Sequence, residues 1–201
     1  SKVSTKLTVL ENLLKHVDGL IVGGGIANTF LEAAGYNMGS SLVEKDLIPE
    51  AKRLIEMAKE RNVMLPLPSD VVVAPSFERA SEAVTKKVSE LSAEDCAFDI
   101  GEETVKEYAK LLADARTIVW NGPVGAFETV PFDKGSRALA DILADSDAYT
   151  LVCGGDTVAA VETFGVAAKM GYLSTGGGAF LEVLEGKTLP AVAALADAAS
   201  K

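Results

Sequence analysis

Apolar residues recur along this chain in two alternating patterns: short continuous runs, and segments with helical spacing. The runs predict buried strands, because strands covered on both faces carry few polar residues. They occupy residues 19–22, 63–67, 70–74, 97–100, 117–120, 149–153 and 171–174. Apolar spacing of three and four residues predicts helices at 5–17, 29–34, 46–61, 102–113, 133–144, 158–164, 179–184 and 189–199. Residues 75–95 are polar and irregular, and they predict a surface excursion of short β elements.

The alternation of strands and helices continues without an internal repeat or a break in composition. It predicts an α/β fold: a three-layer α/β/α, Rossmann-like domain with a mainly parallel sheet of about six strands. Glycine-bearing turns follow four of the strands, and a fifth precedes a late helix, at 23–25, 101, 122–125, 154–155 and 176–178. Because the carboxyl ends of parallel strands share one edge of a sheet, these turns predict a nucleotide-sized cleft there.

The turn at residues 154–157 (Gly-Gly-Asp-Thr) carries the most informative chemistry of the five. Small residues let a ligand approach the backbone, and the N–H groups at a helix start favour anions. Asp156 would repel a bare phosphate at that point, so its carboxylate makes sense if a cation lies between the two. The alternative is that Asp156 only caps the following helix, as aspartates often do.

Two lysines, Lys2 and Lys6, lie four residues apart at the start of the first predicted helix. A helical turn would project both ammonium groups to one side, and cations are disfavoured at a helix N-terminus. The pair therefore suggests an external anion, with two solvated lysines as the alternative. His16 is the only histidine, so a zinc site or a histidine-based catalytic triad has no support.

The segment at residues 23–28 (Gly-Gly-Gly-Ile-Ala-Asn) invites comparison with the dinucleotide fingerprint G-x-G-x-x-G/A. Its last position is Asn28, so the fingerprint fails where the helix must pack closely on the strand. Glu44 lies roughly where a ribose-binding acid would be expected, which is a weak signal. A nicotinamide-dinucleotide-binding domain therefore stays open as an alternative.

The composition bounds the partners of the 201-residue chain. Its net charge of −10 argues against nucleic acid, although lysines and backbone N–H groups can still build a local anion site. No apolar run approaches the roughly 20 residues that span a bilayer, so no membrane partner is expected. Two cysteines, Cys96 and Cys153, do not make a disulfide framework. We expect a cytoplasmic protein with reduced thiols, and a monomer.

Six motifs, taken together, resemble the C-terminal half of phosphoglycerate kinases of the bacterial type. They lie in order at residues 2–6, 23–30, 120–128, 154–157, 174–179 and 184–190. The resemblance spans almost the whole chain. It implies that residues 1–201 are the C-terminal nucleotide-binding domain, and that the N-terminal domain, which binds 3-phosphoglycerate, is absent. It also implies that the last helices help to tie the two lobes together, so that their apolar faces are exposed.

The resemblance implies a glycolytic kinase that uses ATP or ADP with Mg²⁺. The reaction is reversible phosphoryl transfer between 1,3-bisphosphoglycerate with ADP and 3-phosphoglycerate with ATP. Positioning and charge neutralisation dominate such a transfer, and no general base is needed when the acceptor is a carboxylate. Hinge closure brings two lobes together, so we expect this chain alone to bind Mg-ADP with little or no kinase activity. An isolated nucleotide-binding module without turnover is the alternative.

Individual residues at the phosphate end also receive roles from the resemblance. Lys6 matches a lysine that contacts nucleotide phosphates, and Lys2 matches one near the transferred phosphoryl group. Asp156 matches the carboxylate that holds magnesium. The backbone positions matched to the phosphates, and to the helix start facing the transferred group, are Gly154, Gly155, Thr157, Gly176, Gly177 and Gly178.

The base and ribose end is matched in the same way. The matched positions are Gly24, Gly25 and Gly101 beside the adenine, Leu42 as an apolar wall, Gly122, Val124 and Phe127 in the nucleotide loop, and Glu128 at the ribose. From its residue type alone, Phe127 could flank a base or fill a core, and Glu128 could accept from ribose hydroxyls or cap the next helix. Cys153 departs from the family pattern, which has a glycine there; its thiol is either buried or open to thiol reagents.

Overall fold

A computed structural model describes residues 7–200 of the chain, and the surroundings of side chains from residue 9 onward. The helices are α1 (Leu7–Leu13), α2 (Gly24–Ala33), α3 (Ile48–Glu60), α4 (Glu102–Ala113), α5 (Lys134–Ala144), α6 (Gly155–Thr163), α7 (Gly177–Leu184) and α8 (Pro190–Ala199). The strands are β1 (Asp70–Ala74), β2 (Val84–Lys87), β3 (Cys96–Ile100), β4 (Thr117–Asn121), β5 (Tyr149–Cys153) and β6 (Tyr172–Ser174). Lys2 and Lys6 lie outside the described residues, so their roles stay predictions.

The six strands of the described part form two three-stranded sheets. Strands β4, β5 and β6 are parallel and lie in that order, with Thr117 opposite Tyr149 and Leu151 opposite Tyr172. Strands β2, β1 and β3 are antiparallel, and the β1–β3 ladder shifts register between Val72 and Val73. The α/β class and the strand count are confirmed, whereas the strands do not share one continuous hydrogen-bonded sheet.

Two predicted strands belong to neither sheet in the structure. Residues 19–22 and 63–67 form no ladder, and they meet only at a parallel bridge between Gly19 and Met64. Leu20 N–H donates to the Met64 carbonyl at 2.8 Å. Proline has no N–H to donate to a ladder, and this stretch contains Pro66 and is followed by Pro68. Pro66 therefore leaves a gap in the donors of the second run, and both runs lie outside the hydrogen-bonded ladders.

Three helices begin earlier than their apolar spacing predicted. Helix α2 begins at Gly24 rather than at residue 29, α6 at Gly155 rather than at 158, and α7 at Gly177 rather than at 179. Gly24 has a φ of +57° and Gly154 a φ of +93°, which L-residues with side chains rarely adopt. The glycines predicted as loops therefore form the N-terminal turns of helices, where the backbone N–H groups are free of intrahelical partners.

Buried apolar side chains join the layers. Trp120 and Val152 of the parallel sheet pack with Leu143 of α5 and Val161 of α6. A second cluster joins Ile100, at the end of β3, to Tyr108 of α4 and Leu139 of α5. Because that cluster also contains Val124, it fixes the loop after β4 against the antiparallel sheet. Within the described part of the chain, no helix has both the length and the apolarity needed to cross a bilayer.

The start of α4 depends on a carboxylate from another element. Gly101 precedes the helix and has no side chain with which to cap it. Asp70 of β1 takes that place: its Oδ1 accepts from Thr104 N–H at 2.8 Å and from Thr104 Oγ1 at 2.6 Å, and its Oδ2 accepts from Glu103 N–H at 3.1 Å. A Cβ added to Gly101 would lie 2.2 Å from this carboxylate, so the glycine makes room for the cap.

The substitution Asp70→Ala tests this cap. We expect it to lower the free energy of unfolding by about 3 kcal/mol, because two backbone N–H groups at the start of α4 lose their acceptor. Urea denaturation followed by circular dichroism measures the change. Asp114→Ala removes an exposed carboxylate at the other end of α4 and should stay within about 0.5 kcal/mol of the parent protein. A loss below about 1 kcal/mol for Asp70→Ala would contradict the capping role.

Candidate functional site

Four of the five predicted glycine turns meet in the structure. Gly24 N–H donates to the Val124 carbonyl at 3.2 Å, which places the start of α2 against the loop after β4. In that loop, Gly122 N–H donates to Thr157 Oγ1 of α6 at 2.7 Å. A Cβ added to Gly177 would lie 3.1 Å from the Gly154 Cα atom, so the starts of α6 and α7 are also in contact. We call these four contacting segments the glycine edge (residues 24–25, 122–124, 154–157 and 176–178).

Gly101 is the glycine that the structure places elsewhere. It lies against Asp70 and lines a cleft of about 390 Å³ between β2, α4 and the start of α5. Val72, Lys106 and Lys134 also line this cleft, whereas none of the glycine-edge residues does. The capping carboxylate of Asp70 needs space, which explains why a glycine occupies position 101. The assignment of Gly101 to the adenine stays a prediction.

The turn at 154–157 presents backbone and a single acid to solvent. Gly154 occupies the N-cap position of α6, and no side chain bonds to the helix start. The alternative that Asp156 only caps this helix is therefore wrong. Asp156 is exposed, and in the described residues it has no hydrogen-bond or ion-pair partner. A Cβ added to Gly155 would meet no atom within 4 Å. An anion can therefore approach the first turn of α6 with the Asp156 carboxylate beside it.

This arrangement could accommodate a magnesium ion that is bound together with a polyphosphate. No group of three or more histidine, cysteine, aspartate or glutamate side chains that could hold a metal occurs in the described part of the chain. Mg²⁺ is often bound through one or two carboxylates and completes its octahedral shell with substrate phosphates and water. The open surface around Asp156 leaves room for those other ligands.

A second open surface lies at the start of α2. A Cβ added to Gly24 would meet no atom within 4 Å, and the Leu42 side chain is 63% exposed. Two hydrogen bonds hold Leu42 between α2 and β3: Ala97 N–H donates to Ser41 Oγ at 2.9 Å, and Glu44 N–H donates to Thr29 Oγ1 at 3.2 Å. Thr29 Oγ1 also donates to the Gly25 carbonyl at 2.9 Å, so the segment that carries Leu42 is tied to the first two turns of α2.

The remaining predicted loop residues differ in what they can offer a ligand. The Val124 side chain is buried in the core, so only its backbone lies at the glycine edge. The Phe127 ring is half-buried and meets the Phe164 ring edge-on, with 6.4 Å between the ring centroids. Arg137 covers the same Phe164 ring at 4.4 Å. Glu128 is exposed.

Asn121 is a residue that sequence reasoning quoted in a motif but did not single out. Its Nδ2 donates to the Cys153 carbonyl at 3.1 Å, and a Cβ added to Gly154 would lie 3.1 Å from the same nitrogen. Asn121 thus supports the turn that precedes Asp156. The Cys153 side chain is fully buried beside it. Of the two possibilities for this thiol, burial or access to thiol reagents, the structure therefore shows burial.

Asp99 is a buried acid that sequence reasoning also missed, because it looked like an ordinary strand residue. Its Oδ2 accepts from Gly135 N–H at 2.7 Å and its Oδ1 from Ile100 N–H at 2.9 Å. Burial raises the pKa of Asp99 to about 7, with a smaller contribution from Asp133, against the lowering effect of the two N–H donors. A Cβ added to Gly125 would lie 2.2 Å from its Oδ1, so the loop after β4 packs directly on this carboxyl group.

The pH dependence of stability tests the state of Asp99. Its pKa in the folded protein, about 7, exceeds its ordinary value of 3.8, so the folded state keeps a proton that the unfolded chain releases. The free energy of unfolding, relative to Asp99→Asn, should therefore fall by about 4 kcal/mol between pH 4 and pH 7.5. Urea denaturation of both proteins across this range measures the difference. A difference that does not change with pH would contradict the raised pKa.

Comparison with known proteins identifies a protein family that this chain matches. The family model described as phosphoglycerate kinase matches residues 1–187. The phosphoglycerate kinase of Desulfovibrio desulfuricans is 57% identical over 199 residues, which are 99% of this chain and 51% of that protein. The phosphoglycerate kinase of Nitratidesulfovibrio vulgaris is 56% identical over 201 residues, which are 100% of this chain and 51% of that protein. The chain thus spans about half the length of these curated relatives.

Solved structures agree with the sequence matches. Phosphoglycerate kinase from Coxiella burnetii superposes with a TM-score of 0.92 at 53% identity, over 95% of this chain and 50% of that one. Phosphoglycerate kinase from Pyrococcus horikoshii superposes with a TM-score of 0.82 at 31% identity, over 97% of this chain and 49% of that one. Sequence and fold therefore point to the same group of proteins.

Proposed function

Because the chain belongs to the phosphoglycerate kinase family, we propose that it is the C-terminal, Mg-ATP- and Mg-ADP-binding domain of such an enzyme. The observation that supports this most directly is the glycine edge, where the starts of α2, α6 and α7 and the loop after β4 lie in contact. Several helix N-termini without covering side chains suit a polyphosphate, because each offers free N–H groups and a partial positive charge.

A nucleotide would extend along this edge from one open surface to the other. Its base would lie beside Gly24 and Leu42, and its phosphates would lie beside Gly154 and Gly155. Asp156 would hold the magnesium ion, which supplies charge neutralisation during phosphoryl transfer when bound. The first N–H groups of α7, at Gly177 and Gly178, would face the transferred phosphoryl group.

The reaction we propose is reversible phosphoryl transfer between 1,3-bisphosphoglycerate with ADP and 3-phosphoglycerate with ATP, in glycolysis. Lys2 and Lys6 would stabilise the charge that spreads over the transferred group, together with the α7 N–H groups. The acceptor is a carboxylate, so the site needs no general base. A cytoplasmic, monomeric protein without nucleic-acid partners suits this role and the net charge of −10.

We further propose that turnover needs a second domain, which binds 3-phosphoglycerate. The two curated relatives are about twice as long as this chain, since it covers 51% of each. Helices α7 and α8 are largely apolar, yet neither contains a buried residue, and Val192 and Leu195 are 57% and 71% exposed. Such a surface suits packing against another domain. Alone, the chain would then act as a nucleotide-binding module.

Isothermal titration calorimetry with ADP tests the nucleotide site, and Asp156→Asn tests the metal. We expect saturable Mg-ADP binding by the parent chain, which weakens when EDTA replaces magnesium. Asp156→Asn should lower Mg-ADP affinity about tenfold, while its affinity for ADP in EDTA stays unchanged, because only the metal-dependent part is lost. Glu162→Gln removes the same charge from an exposed site later on α6 and should leave both affinities unchanged.

Two outcomes would count against this proposal. A folded parent chain that shows no saturable ADP binding would remove the nucleotide site. Tighter binding of NAD than of ADP would favour the nicotinamide-dinucleotide alternative.

A coupled kinase assay tests the need for a second domain. We expect the chain alone to show activity at or near the assay background with saturating ATP and 3-phosphoglycerate, because half of the closed active site is missing. Full-length kinase from a relative serves as the positive control. Robust turnover by the chain alone would contradict the two-domain requirement and leave nucleotide binding intact.

A further inference from the structure

The cleft beside Gly101 is a second concave surface, and the proposed nucleotide site makes no use of it. Its volume of about 390 Å³ lies within the range of small-molecule sites in proteins. Strand β2, helix α4 and the start of α5 surround it. None of the glycine-edge residues lines it, so an occupant of the cleft would be held by other side chains.

The walls of the cleft are mainly apolar. Six of the residues that line it have apolar side chains: Val72, Ala83, Val84, Ile100, Val105 and Pro131. Val72 lies opposite Thr85 in the β1–β2 ladder, so these two side chains share the face of the sheet that borders the cleft. A ligand with an apolar body suits such walls, because its entry removes apolar surface of both partners from water.

Two lysines at the rim give the cleft its charge. Lys106 of α4 and Lys134 of α5 both line it, both are exposed, and neither forms a hydrogen bond or ion pair with any described residue. Glu102 also lines the cleft, so two positive charges there face one negative charge, in a chain whose net charge is −10. An anionic group would meet two available ammonium groups at the mouth of an apolar cleft.

Backbone groups around the cleft are already engaged. The N–H groups of Glu103 and Thr104 at the start of α4 donate to Asp70, and the Gly135 N–H at the start of α5 donates to Asp99. These helix starts therefore do not offer their N–H groups to a ligand. The two lysine side chains are the cationic groups that would hold an anion at this cleft.

We propose that this cleft binds a small organic carboxylate, with its apolar body against the walls and its carboxylate group at Lys106 and Lys134. Long lysine side chains keep their ammonium groups in water at the rim, so the ion pairs form without burying a charge. The inference goes beyond the proposed nucleotide function and does not depend on it, because no glycine-edge residue lines the cleft.

NMR titration of the methyl-labelled chain with octanoate tests the proposal, because the methyl groups of Val72 and Val105 report from the cleft. We expect saturable shifts of both. Octanol, which has the chain without the charge, should bind about tenfold more weakly, and acetate, which has the charge without the chain, should cause no shift. The Leu195 side chain on α8 is 71% exposed, and its methyl groups control for non-specific binding to apolar surface.

Substitutions test the charge and the space of the cleft separately. Lys106→Gln and Lys134→Gln combined in one chain should weaken octanoate binding about tenfold and leave octanol binding unchanged, because both ion pairs are lost while the apolar walls remain. Thr85→Trp should abolish the Val72 shifts with either ligand, since a large side chain on that face of the sheet fills the cleft. Lys52→Gln removes an exposed lysine from α3 and should leave both affinities unchanged.

Three results would overturn the carboxylate site: no saturable shift of Val72 and Val105 with octanoate, an unchanged octanoate affinity in the double lysine variant, or displacement of octanoate by Mg-ADP. Thermal unfolding checks that each variant folds, and if Thr85→Trp does not, the lysine variants still decide the outcome. Absence of ADP binding by the parent chain would overturn the nucleotide function and leave the carboxylate site standing.

Discussion

The candidate site depends on how closely separate stretches of backbone approach one another. At Gly23, an added Cβ would lie 2.7 Å from the Val124 side chain, and at Gly177 it would lie 3.1 Å from the Gly154 Cα atom. A side chain would clash at Gly23 and would be tightly placed at Gly177, so the glycines favour the close approach of these segments. Helix starts that lie this close together can combine their partial positive charges, which is a physical basis for an anion site on an acidic protein.

Buried carboxyl groups support two helix starts next to the glycine edge. Asp70 caps α4 across the antiparallel sheet, and Asp99 accepts N–H groups from two elements while Gly125 packs against it. Neither acid lies on the glycine edge, and neither is matched to a ligand. They satisfy backbone donors at the starts of α4 and α5 that no N-cap side chain satisfies.

Asp156 differs from these buried acids, because it is exposed and has no hydrogen-bond or ion-pair partner among the described residues. Fully buried polar side-chain atoms in the described part of the chain are satisfied. The carboxylate proposed as a metal ligand could therefore bind a cation without breaking a contact within that part of the chain.

The sequence by itself determined the α/β class, most helix and strand positions and the family, because apolar periodicity and glycine motifs are local properties of the chain. The sequence contains Pro66, which lacks a donor, but it could not show that residues 19–22 also form no ladder, since pairing depends on a distant segment. Only the tertiary structure placed Gly101 against Asp70 and buried Cys153. Each of these features depends on contacts between residues far apart in the chain. Such contacts cannot be inferred from the type of a single residue.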